Sequence, residues 1–278
     1  MNKKTSDLSI TVDSHHIQTE YLKDLFRYRE LFYFFALRDI LVRYKQTALG
    51  IVWALVRPLL NMAVFTVVFG KLAHLASGEV NYSLFVLTGL LPWQLFASCL
   101  NDTSGSLINN APMIAKVYFP RVILPMSHIL VNCVDFFISL AFLIIVFACT
   151  GYLTQWTILF LPIFIGLTIL LCIGVSLWLA AVTVRYRDFR FIIPFVVQFG
   201  MFISPVGYGS FVIPQQWHWL YFLNPMAGII EGFRWCCFDI HTPDLPLALT
   251  LSCLGNAFFF ISGFRFFRRM ERIFADII

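Results

Sequence analysis

Six long apolar runs constrain this chain more than any other feature of its sequence. A predominantly apolar run of about 20 residues is long enough to cross the hydrocarbon core of a bilayer as a helix. The runs lie near residues 50–72, 83–101, 126–149, 157–183, 191–212 and 246–264. With 59% hydrophobic and 13% charged residues, a soluble globule would expose too much apolar surface. The sequence therefore predicts an all-α integral membrane protein with six transmembrane helices.

The 20 basic residues predict how these spans are oriented. Most of them precede span one, follow span six, or lie in the connections between spans two and three and between spans four and five. Only Lys71 and Arg234 fall on the opposite side of the predicted membrane. By the positive-inside rule both termini are expected in the cytoplasm. Topology and anionic headgroups then account for the net charge of +5, and no nucleic-acid partner is expected.

A basic amphipathic segment enters the first span directly. Its apolar residues recur at helical spacing on one face, namely Phe32, Tyr33, Ala36, Leu37, Ile40, Leu41 and Tyr44. The opposite face carries Arg38, Asp39, Arg43 and Lys45. This pattern predicts a helix that lies along the cytoplasmic headgroups without crossing. The span that follows carries Arg57, Pro58 and Asn61 in its first half, a set that a lipid-facing helix rarely tolerates.

The connection between spans two and three, residues 109–125, mixes two charges and two large aromatic residues between three prolines. We expect a short helix against the cytoplasmic surface. Large aromatic side chains beside cations are typical of a docking site for another protein. The sequence leaves a docking site and a plain connecting loop equally open.

Span three contains the one carboxylate deep in a predicted span, Asp135, three residues after Asn132 and so on the same helix face. Inserting such a group costs about 2.5–3.5 kcal/mol, so it should face a partner or a water-filled space. A hydrogen bond to a neighbouring helix is the favoured role, and a role in transport is the alternative.

The stretch after span five, residues 214–241, is rich in tryptophan and predicts an aromatic belt at the outer interface. Within it, Met226 to Phe238 is too short and too interrupted to cross the membrane as a helix. Two short re-entrant helices joined at Asn224–Pro225 are expected instead, covered by protein or lining a channel. Glu231 and Arg234, at positions i and i+3, are placed to form an ion pair.

Signatures of an enzyme are absent from the sequence. Gly70–Lys71 is followed by Leu72 and lacks the upstream glycine of a phosphate-binding loop, so nucleotide energy must come from a separate subunit. The six histidines lack metal-ligand spacing. No catalytic residue, metal or cofactor is therefore predicted in this chain.

Taken in order, these motifs resemble the permease subunits of type-2 ABC exporters, in particular those that carry O-antigen, capsular and teichoic polysaccharides. The resemblance covers nearly the whole chain. It rests on Arg38–Asp39, Arg43–Tyr44–Lys45, Leu49–Gly50 to Trp53, Pro58–Leu59, Lys116 to Pro120, Arg185 to Asp188, Asn224–Pro225, Glu231 and Arg234.

The resemblance implies a single transmembrane domain over residues 1–278, with a cytoplasmic N-terminus and amphipathic helix (1–48), a six-span region (49–264) and a cytoplasmic tail (265–278). Asp39 to Gln46 would belong to a gate helix, and the re-entrant pair around Asn224, Pro225, Glu231 and Arg234 would form the periplasmic gate. The coupling helix, seated in the ATPase subunit, would comprise Lys116, Val117, Tyr118, Phe119, Pro120 and Arg121.

The resemblance also implies partners. Two copies of the permease would work with two separate ATPase subunits, which bind ATP and Mg, in a bacterial inner membrane. The substrate would be an undecaprenyl-pyrophosphate-linked glycan that moves from cytoplasm to periplasm. A type-2 exporter of drugs or small lipids, a secondary transporter and a lipid-modifying enzyme are the alternatives.

On this interpretation, the substrate path begins at the basic amphipathic helix. Arg38, Arg43, Tyr44 and Lys45 lie at headgroup depth, where arginine suits the oxygens of a pyrophosphate. Arg57 either receives the phosphate deeper in the membrane or extends back to the inner surface, and both uses stay open. Phe65 and Phe69, on one helix face, are candidates to line the channel and stack on sugars.

Overall fold

The computed structural model describes residues 24–45, 50–74, 80–152, 156–240, 244–272 and 274. Within these ranges the chain is helical and forms no strand. Five helical segments are long and apolar enough to cross a membrane, and a sixth apolar helix is shorter. The predicted all-α architecture is therefore confirmed for the described residues, with five helices of membrane length.

Eleven α-helices have both ends within the described residues, and three of them adjoin segments of other helix types. In chain order these are α1 (Arg29–Lys45), α2 (Val52–Phe65, continued by a π-helical segment, Thr66–Leu72), α3 (Tyr82–Ser104), α4 (Ser106–Asn109), α5 (Ala111–Ile114), α6 (Ile123–Thr150), α7 (Leu161–Arg185, preceded by a 3-10 helix, Trp156–Phe160), α8 (Phe189–Ile203), α9 (His218–Tyr221, preceded by 3-10 turns at Ser210–Val212 and Gln215–Trp217), α10 (Pro225–Phe238) and α11 (Leu245–Glu271).

The predicted fifth span, residues 191–212, is wrong in its extent. The helix α8 ends at Ile203, and Ser204 has an extended backbone with ψ of 152°. At 1.5 Å per residue its 15 residues are about 22 Å long, less than the roughly 30 Å of bilayer hydrocarbon. The apolar run continues beyond Ile203 because residues 204–210 fold back into the protein, where they are covered by other helices.

Helix ends are set by local chemistry at several points. The Asn81 side chain accepts a hydrogen bond from the backbone N–H of Ser83 at 3.0 Å and so caps the start of α3. Asn224 caps α10 in the same way, through the N–H of Met226 at 3.1 Å. At the other end of a helix, Gly151 has a left-handed φ of 83° and terminates α6.

The bundle is organised around α3. In the apolar stretch of α3 that could cross a membrane 72% of the residues are buried, compared with 11% in the corresponding stretch of α2 and its extension. Helices α2, α6, α7, α8 and α10 all contact α3. The last helix, α11, packs along α7 through two glycines. A Cβ atom at Gly263 would lie 2.1 Å from the backbone oxygen of Gly174, so only glycine permits this approach of the two backbones.

At one end of the bundle a second group of buried side chains joins α1, α7, α11 and the connection between α3 and α6. We call this the inner end, after the cytoplasmic side on which the sequence predicts it, and the opposite end the outer end. This inner core includes Phe35, Leu107, Phe119, Val184 and Phe267. It fixes the amphipathic helix α1 to the bundle. The residues predicted to form a gate helix and a coupling helix therefore belong to one packed unit.

Candidate functional site

Arg43 is the centre of a polar cluster at the inner end of the bundle. Its Nη1 donates hydrogen bonds to Asn132 Oδ1 at 2.8 Å and Asp135 Oδ2 at 2.7 Å. Its Nη2 donates to Asp102 Oδ2 at 2.7 Å. The Tyr44 hydroxyl donates to the second oxygen of Asp135. This inner cluster, Arg43, Tyr44, Asp102, Asn132 and Asp135, ties α1 to α3 and α6.

The electrostatics of the cluster hold Arg43 charged. Burial opposes the charge on the guanidinium, but the carboxylates of Asp102 and Asp135 outweigh it and raise the pKa of Arg43. Burial, with the hydrogen bond to Asp135, raises the pKa of the Tyr44 hydroxyl. The side chains of Arg43, Asp102 and Asp135 are 33%, 34% and 29% exposed, so water screens these ion pairs.

Two cavities flank the inner cluster and share Arg43, Asn101 and Asp102 as walls. The first, about 580 Å³, lies between α2, α3 and α6 and is also lined by Arg57 and Gln94. The second, about 690 Å³, is bordered by α1, α3, α6 and the start of α8. The Arg43–Asp102 ion pair therefore lies on the boundary between the two spaces.

The first cavity holds polar groups that are available to a ligand. Arg57 is exposed and lines this cavity, and within the described part of the chain it forms no ion pair. The Gln94 Nε2 donor is buried and has no hydrogen-bond partner among the described residues. A phosphate-binding role for Arg57 stays a prediction, and its position on the cavity wall is compatible with that role.

The face of α1 that contacts the protein is displaced from the apolar face of its sequence pattern, which was expected to lie on the headgroups. Phe35 and Ala36 are buried, while Tyr33 and Leu37 on the predicted apolar face are exposed. The charged side of α1, including Arg43, packs on α6. The reason is the inner cluster: carboxylates on α3 and α6 attract the charges of α1 towards the bundle.

The remaining predicted gate residues lie beside this contact. Arg38 pairs with its neighbour Asp39 at 2.8 Å, and Asp39 Oδ2 is 3.7 Å from His128 Nδ1 on α6. Lys45, the last residue of α1, is exposed. Gln46 and Leu49 lie outside the described residues.

The predicted coupling helix, Lys116 to Arg121, is not helical. Helix α5 ends at Ile114, and residues 118–120 have no regular structure before α6 begins at Ile123. Pro120 accounts for the interruption, because it lacks a backbone donor and disfavours the helical conformation at the residue before it. We call residues 116–121 the docking segment after the role predicted for them, and this segment is continuous with the inner core.

Within the docking segment, Tyr118 and Phe119 face opposite ways. Tyr118 is 83% exposed, together with Val117 and Lys116, whereas Phe119 is 3% exposed. The Phe119 ring packs against Phe35 of α1, with ring centroids 6.0 Å apart. Of the two aromatic residues that the sequence offered for docking, only Tyr118 is exposed.

Phe65 and Phe69, the predicted channel-lining residues, form an aromatic group in the outer half of α2 and its extension. Their ring centroids are 5.2 Å apart, and Phe65 stacks on Phe202 of α8 at 6.4 Å. Phe65 is buried against Gly207. Its first role is thus to pack α2 against the chain after α8, and a role in lining a channel stays a prediction.

Glu231 and Arg234 form the ion pair predicted from their spacing, with Nη1 3.6 Å from Oε1. They are not at an exposed interface: the side chains are 4% and 1% exposed. Arg234 donates to the backbone oxygens of Val206 and Tyr208, each at 2.9 Å, and its guanidinium carbon lies 3.6 Å from the ring centroid of Phe85.

The segment 204–210, which we call the outer segment, is held by side chains from three other elements. Glu231 accepts the N–H of Ser210 at 3.0 Å, and the Tyr82 hydroxyl donates to the Gly207 oxygen at 2.7 Å. Asn224 donates to the Ser204 hydroxyl at 2.9 Å. Its neighbour Pro225 is the first residue of α10. Three of the four predicted outer-gate residues, Asn224, Glu231 and Arg234, therefore bond to the outer segment.

Sequence reasoning missed Asp102, Glu271 and the pair of His218 and Asp244. Asp102 falls just beyond the predicted second span, where a carboxylate carries no signal of burial. His218 Nδ1 lies 2.6 Å from Asp244 Oδ2, and its Nε2 lies 2.8 Å from the Ile213 oxygen. These partners are distant in sequence or outside the motifs, so a single sequence offered nothing to join them.

Helices of membrane length around polar cavities define a multi-pass membrane protein without an evident catalytic constellation among its described residues. The model of the ABC-2 type transporter family matches residues 30–238, and the chain therefore belongs to that family. It is a membrane permease subunit of an ABC transporter, a class that works with ATPase subunits.

Individual relatives are named for glycan export. The chain is similar to the O-antigen export system permease protein RfbA of Klebsiella pneumoniae, with 29% identity over 201 residues, or 71% of this chain and 76% of that protein. An RfbA of Myxococcus xanthus is 24% identical over 259 residues, 92% of this chain and 98% of the relative. The polysialic acid transport protein KpsM of Escherichia coli is 24% identical over 204 residues, 71% and 77% of the two chains.

Proposed function

We propose that this chain is the permease subunit of an ATP-driven exporter that moves a lipid-linked polysaccharide, carried on undecaprenyl pyrophosphate, from the cytoplasm to the periplasm. The observation that carries this proposal is the combination of family membership with relatives named for O-antigen export and polysialic acid transport. The polar cavity lined by Arg57 supports it, because an anionic headgroup needs a cation at that depth.

The proposed topology has six crossings with both termini in the cytoplasm. Five helices are of membrane length, and α8 supplies the sixth crossing despite its 15 residues. Helices α9 and α10 form the re-entrant pair on the periplasmic side. The whole chain, residues 1–278, is a single transmembrane domain. In a cysteine-free background, single cysteines at Ser77 and Thr154, which lie outside the described residues, should label with impermeant maleimide from outside. Asn110 and Asp188 should not.

A second copy of the chain is proposed to complete the transport path. Helix α2 is little buried, and it exposes Trp53, Leu60 and Val64. Helix α8 exposes a row of large side chains, which are Phe191, Phe195, Phe199 and Phe202. Two such chains facing each other through α2 and α8 would cover these surfaces and enclose an aromatic path, while membrane lipids cover the rest.

The docking segment is proposed to bind the ATPase subunit through Tyr118 and Val117. Tyr118→Ala should preserve insertion yet reduce co-purification of the ATPase and its coupling to export, because it removes only an exposed ring. Phe119→Ala is the matched control for folding, since it removes a buried ring and should destabilise the permease by about 3–5 kcal/mol. Normal co-purification and export by the Tyr118 variant would exclude this docking surface.

A strain lacking this permease tests the cargo. Surface polysaccharide should be lost and should return with the wild-type chain, while Arg57→Ala should restore it poorly. Arg57→Lys is the matched control because it keeps the charge but loses the bidentate geometry. Phe65→Ala with Phe69→Ala tests the proposed aromatic path. Unchanged surface glycan with increased drug sensitivity would support the alternative, an exporter of drugs or small lipids.

The pairing of Asp135 argues against a secondary transporter. Asp135, the carboxylate that such a transporter would use, is paired with Arg43 and hydrogen-bonded to Tyr44. This is the helix-to-helix role that the sequence favoured.

A further inference from the structure

The docking segment is attached to the inner end of the last helix by two hydrogen bonds. The backbone N–H of Arg121 donates to Glu271 Oε1 at 2.8 Å. The Arg121 guanidinium donates to the backbone oxygen of Glu271, the last residue of α11. Two groups of Arg121 thus bind two groups of one residue, 150 positions away in the chain.

The attachment point is well placed to control the exposed part of the segment. Arg121 follows Pro120 directly, and proline restricts the backbone between Arg121 and Tyr118. On the other side, Phe119 is buried against Phe35 of α1. The exposed Tyr118 is therefore carried by a short piece of chain that is fixed to α1 through Phe119 and to α11 through Arg121.

Helix α11 runs without interruption from this attachment to the outer helices. Near its outer end it packs so closely on α10 that a Cβ atom at Gly228 would lie 2.2 Å from Ser252 Oγ and 2.4 Å from the Ala248 oxygen. Asp244, immediately before α11, bonds to His218. A displacement of the inner end of α11 would thus reach the region that contains Glu231 and Arg234.

We propose that Glu271 is a positioning residue that couples the docking segment to α11, so that movement of a bound ATPase subunit is transmitted to the outer helices. The inference rests on the proposed docking role of residues 116–121. The acceptor oxygen of Glu271 carries this role. Its charge, which lies 3.7 Å from Arg268, is secondary.

Three variants separate these contributions. Glu271→Ala removes the acceptor for the Arg121 N–H. Glu271→Gln keeps a carbonyl oxygen at Oε1 and removes the charge, so it should retain coupling. Arg269→Gln is the matched control for altered charge, since Arg269 is exposed in the same turn of α11.

The test uses the full complex of permease and ATPase subunits, in membranes and after purification. For Glu271→Ala we expect normal co-purification of the ATPase and retained ATP hydrolysis, with about fivefold less surface polysaccharide per ATPase activity, a size typical of residues that link two sites. Glu271→Gln and Arg269→Gln should match the wild type. If Glu271→Ala does not insert, Glu271→Asp, whose shorter side chain falls short of the Arg121 N–H, should show the same loss of coupling.

Each contrary result has a distinct meaning. Wild-type export by Glu271→Ala, together with weakened docking by Tyr118→Ala, would overturn the role of Glu271 and leave the docking surface standing. Equal defects in Glu271→Gln and Glu271→Ala would exclude positioning through the acceptor oxygen. Normal docking and export by Tyr118→Ala would overturn both the docking surface and the inference that rests on it.

Discussion

The two arginine-centred clusters, one at each end of the bundle, are built differently. At the inner end Arg43 is 33% exposed, borders two cavities and is bonded mainly to side-chain carboxylates and an amide. At the outer end Arg234 is 1% exposed, and its guanidinium bonds to two backbone oxygens and covers the Phe85 ring. One cluster is accessible to water and the other is not.

This difference determines what each end can do at low energetic cost. Water can replace a lost partner of Arg43, so breaking the contact of α1 with α3 and α6 at this cluster costs little. Separation of Arg234 from the outer segment would leave a buried charge and two unpaired carbonyls, which costs several kcal/mol. The inner cluster is thus suited to exchange of partners, and the outer cluster to one fixed arrangement.

The largest effect is expected at Arg234. Arg234→Met should lower the free energy of unfolding by about 3–5 kcal/mol, because Glu231 remains buried without its cation and the oxygens of Val206 and Tyr208 lose their donors. Thermal unfolding of the permease in detergent measures this. The double variant Arg234→Met with Glu231→Gln should recover part of the loss, since glutamine still accepts the Ser210 N–H. A loss below that of an inner-cluster variant would contradict the comparison.

A smaller effect is expected at Arg43. Arg43→Gln should cost about 1–3 kcal/mol, since Asp102 and Asp135 then repel each other, but water reduces the penalty. Hydrogen exchange should become faster in α1 and change little in the outer segment. Asp102→Asn is the matched control, because Arg43 and Asp135 still balance each other. Unchanged exchange in α1 of the Arg43 variant would show that the cluster does not hold this helix.

The smallest effect concerns His218 and pH. Both ring nitrogens face acceptors, so both donate only when the ring is charged. Burial is the largest single influence and opposes this charge, but the hydrogen bonds to Asp244 and Ile213 and the charge of Asp244 together outweigh it and raise the pKa of His218. The stabilisation is therefore complete below about pH 6.5 and is lost as pH rises through the raised pKa.

Relative to His218→Gln, the wild-type permease should be more stable by about 1 kcal/mol at low pH, and this advantage should shrink as pH rises. Thermal unfolding of both proteins across that pH range provides the measurement. An advantage that grows with pH would mean that the neutral ring is the stabilising form.

The sequence predicted well those features that depend on length and local spacing. Predicted spans one to four and span six correspond to membrane-length helices. The i, i+3 spacing of Glu231 and Arg234 predicted their ion pair. Prediction from the sequence failed where contacts between distant residues determine the local structure. The apolar run extends to residue 212, but helix α8 ends at Ile203 because buried side chains of other helices bind the outer segment.

The orientation of α1 shows the same limit. Amphipathic spacing assumes that charged residues face water, and for Arg43 this fails because Asp102 and Asp135 come from helices far along the chain. Likewise, Tyr118 and Phe119 are indistinguishable by composition, and only the packing of Phe35 reveals which ring is buried. Local patterns in a single sequence do not identify contacts between residues that are far apart in the chain.

The location of the glycan after depletion of this permease tests the proposed export most directly. With the permease or its ATPase partner depleted, the lipid-linked polysaccharide should accumulate at the cytoplasmic face, where an antibody or lectin detects it only after the membrane is permeabilised. Restored expression should return it to the surface. Wild-type amounts of glycan on intact depleted cells, with none retained inside, would contradict the account.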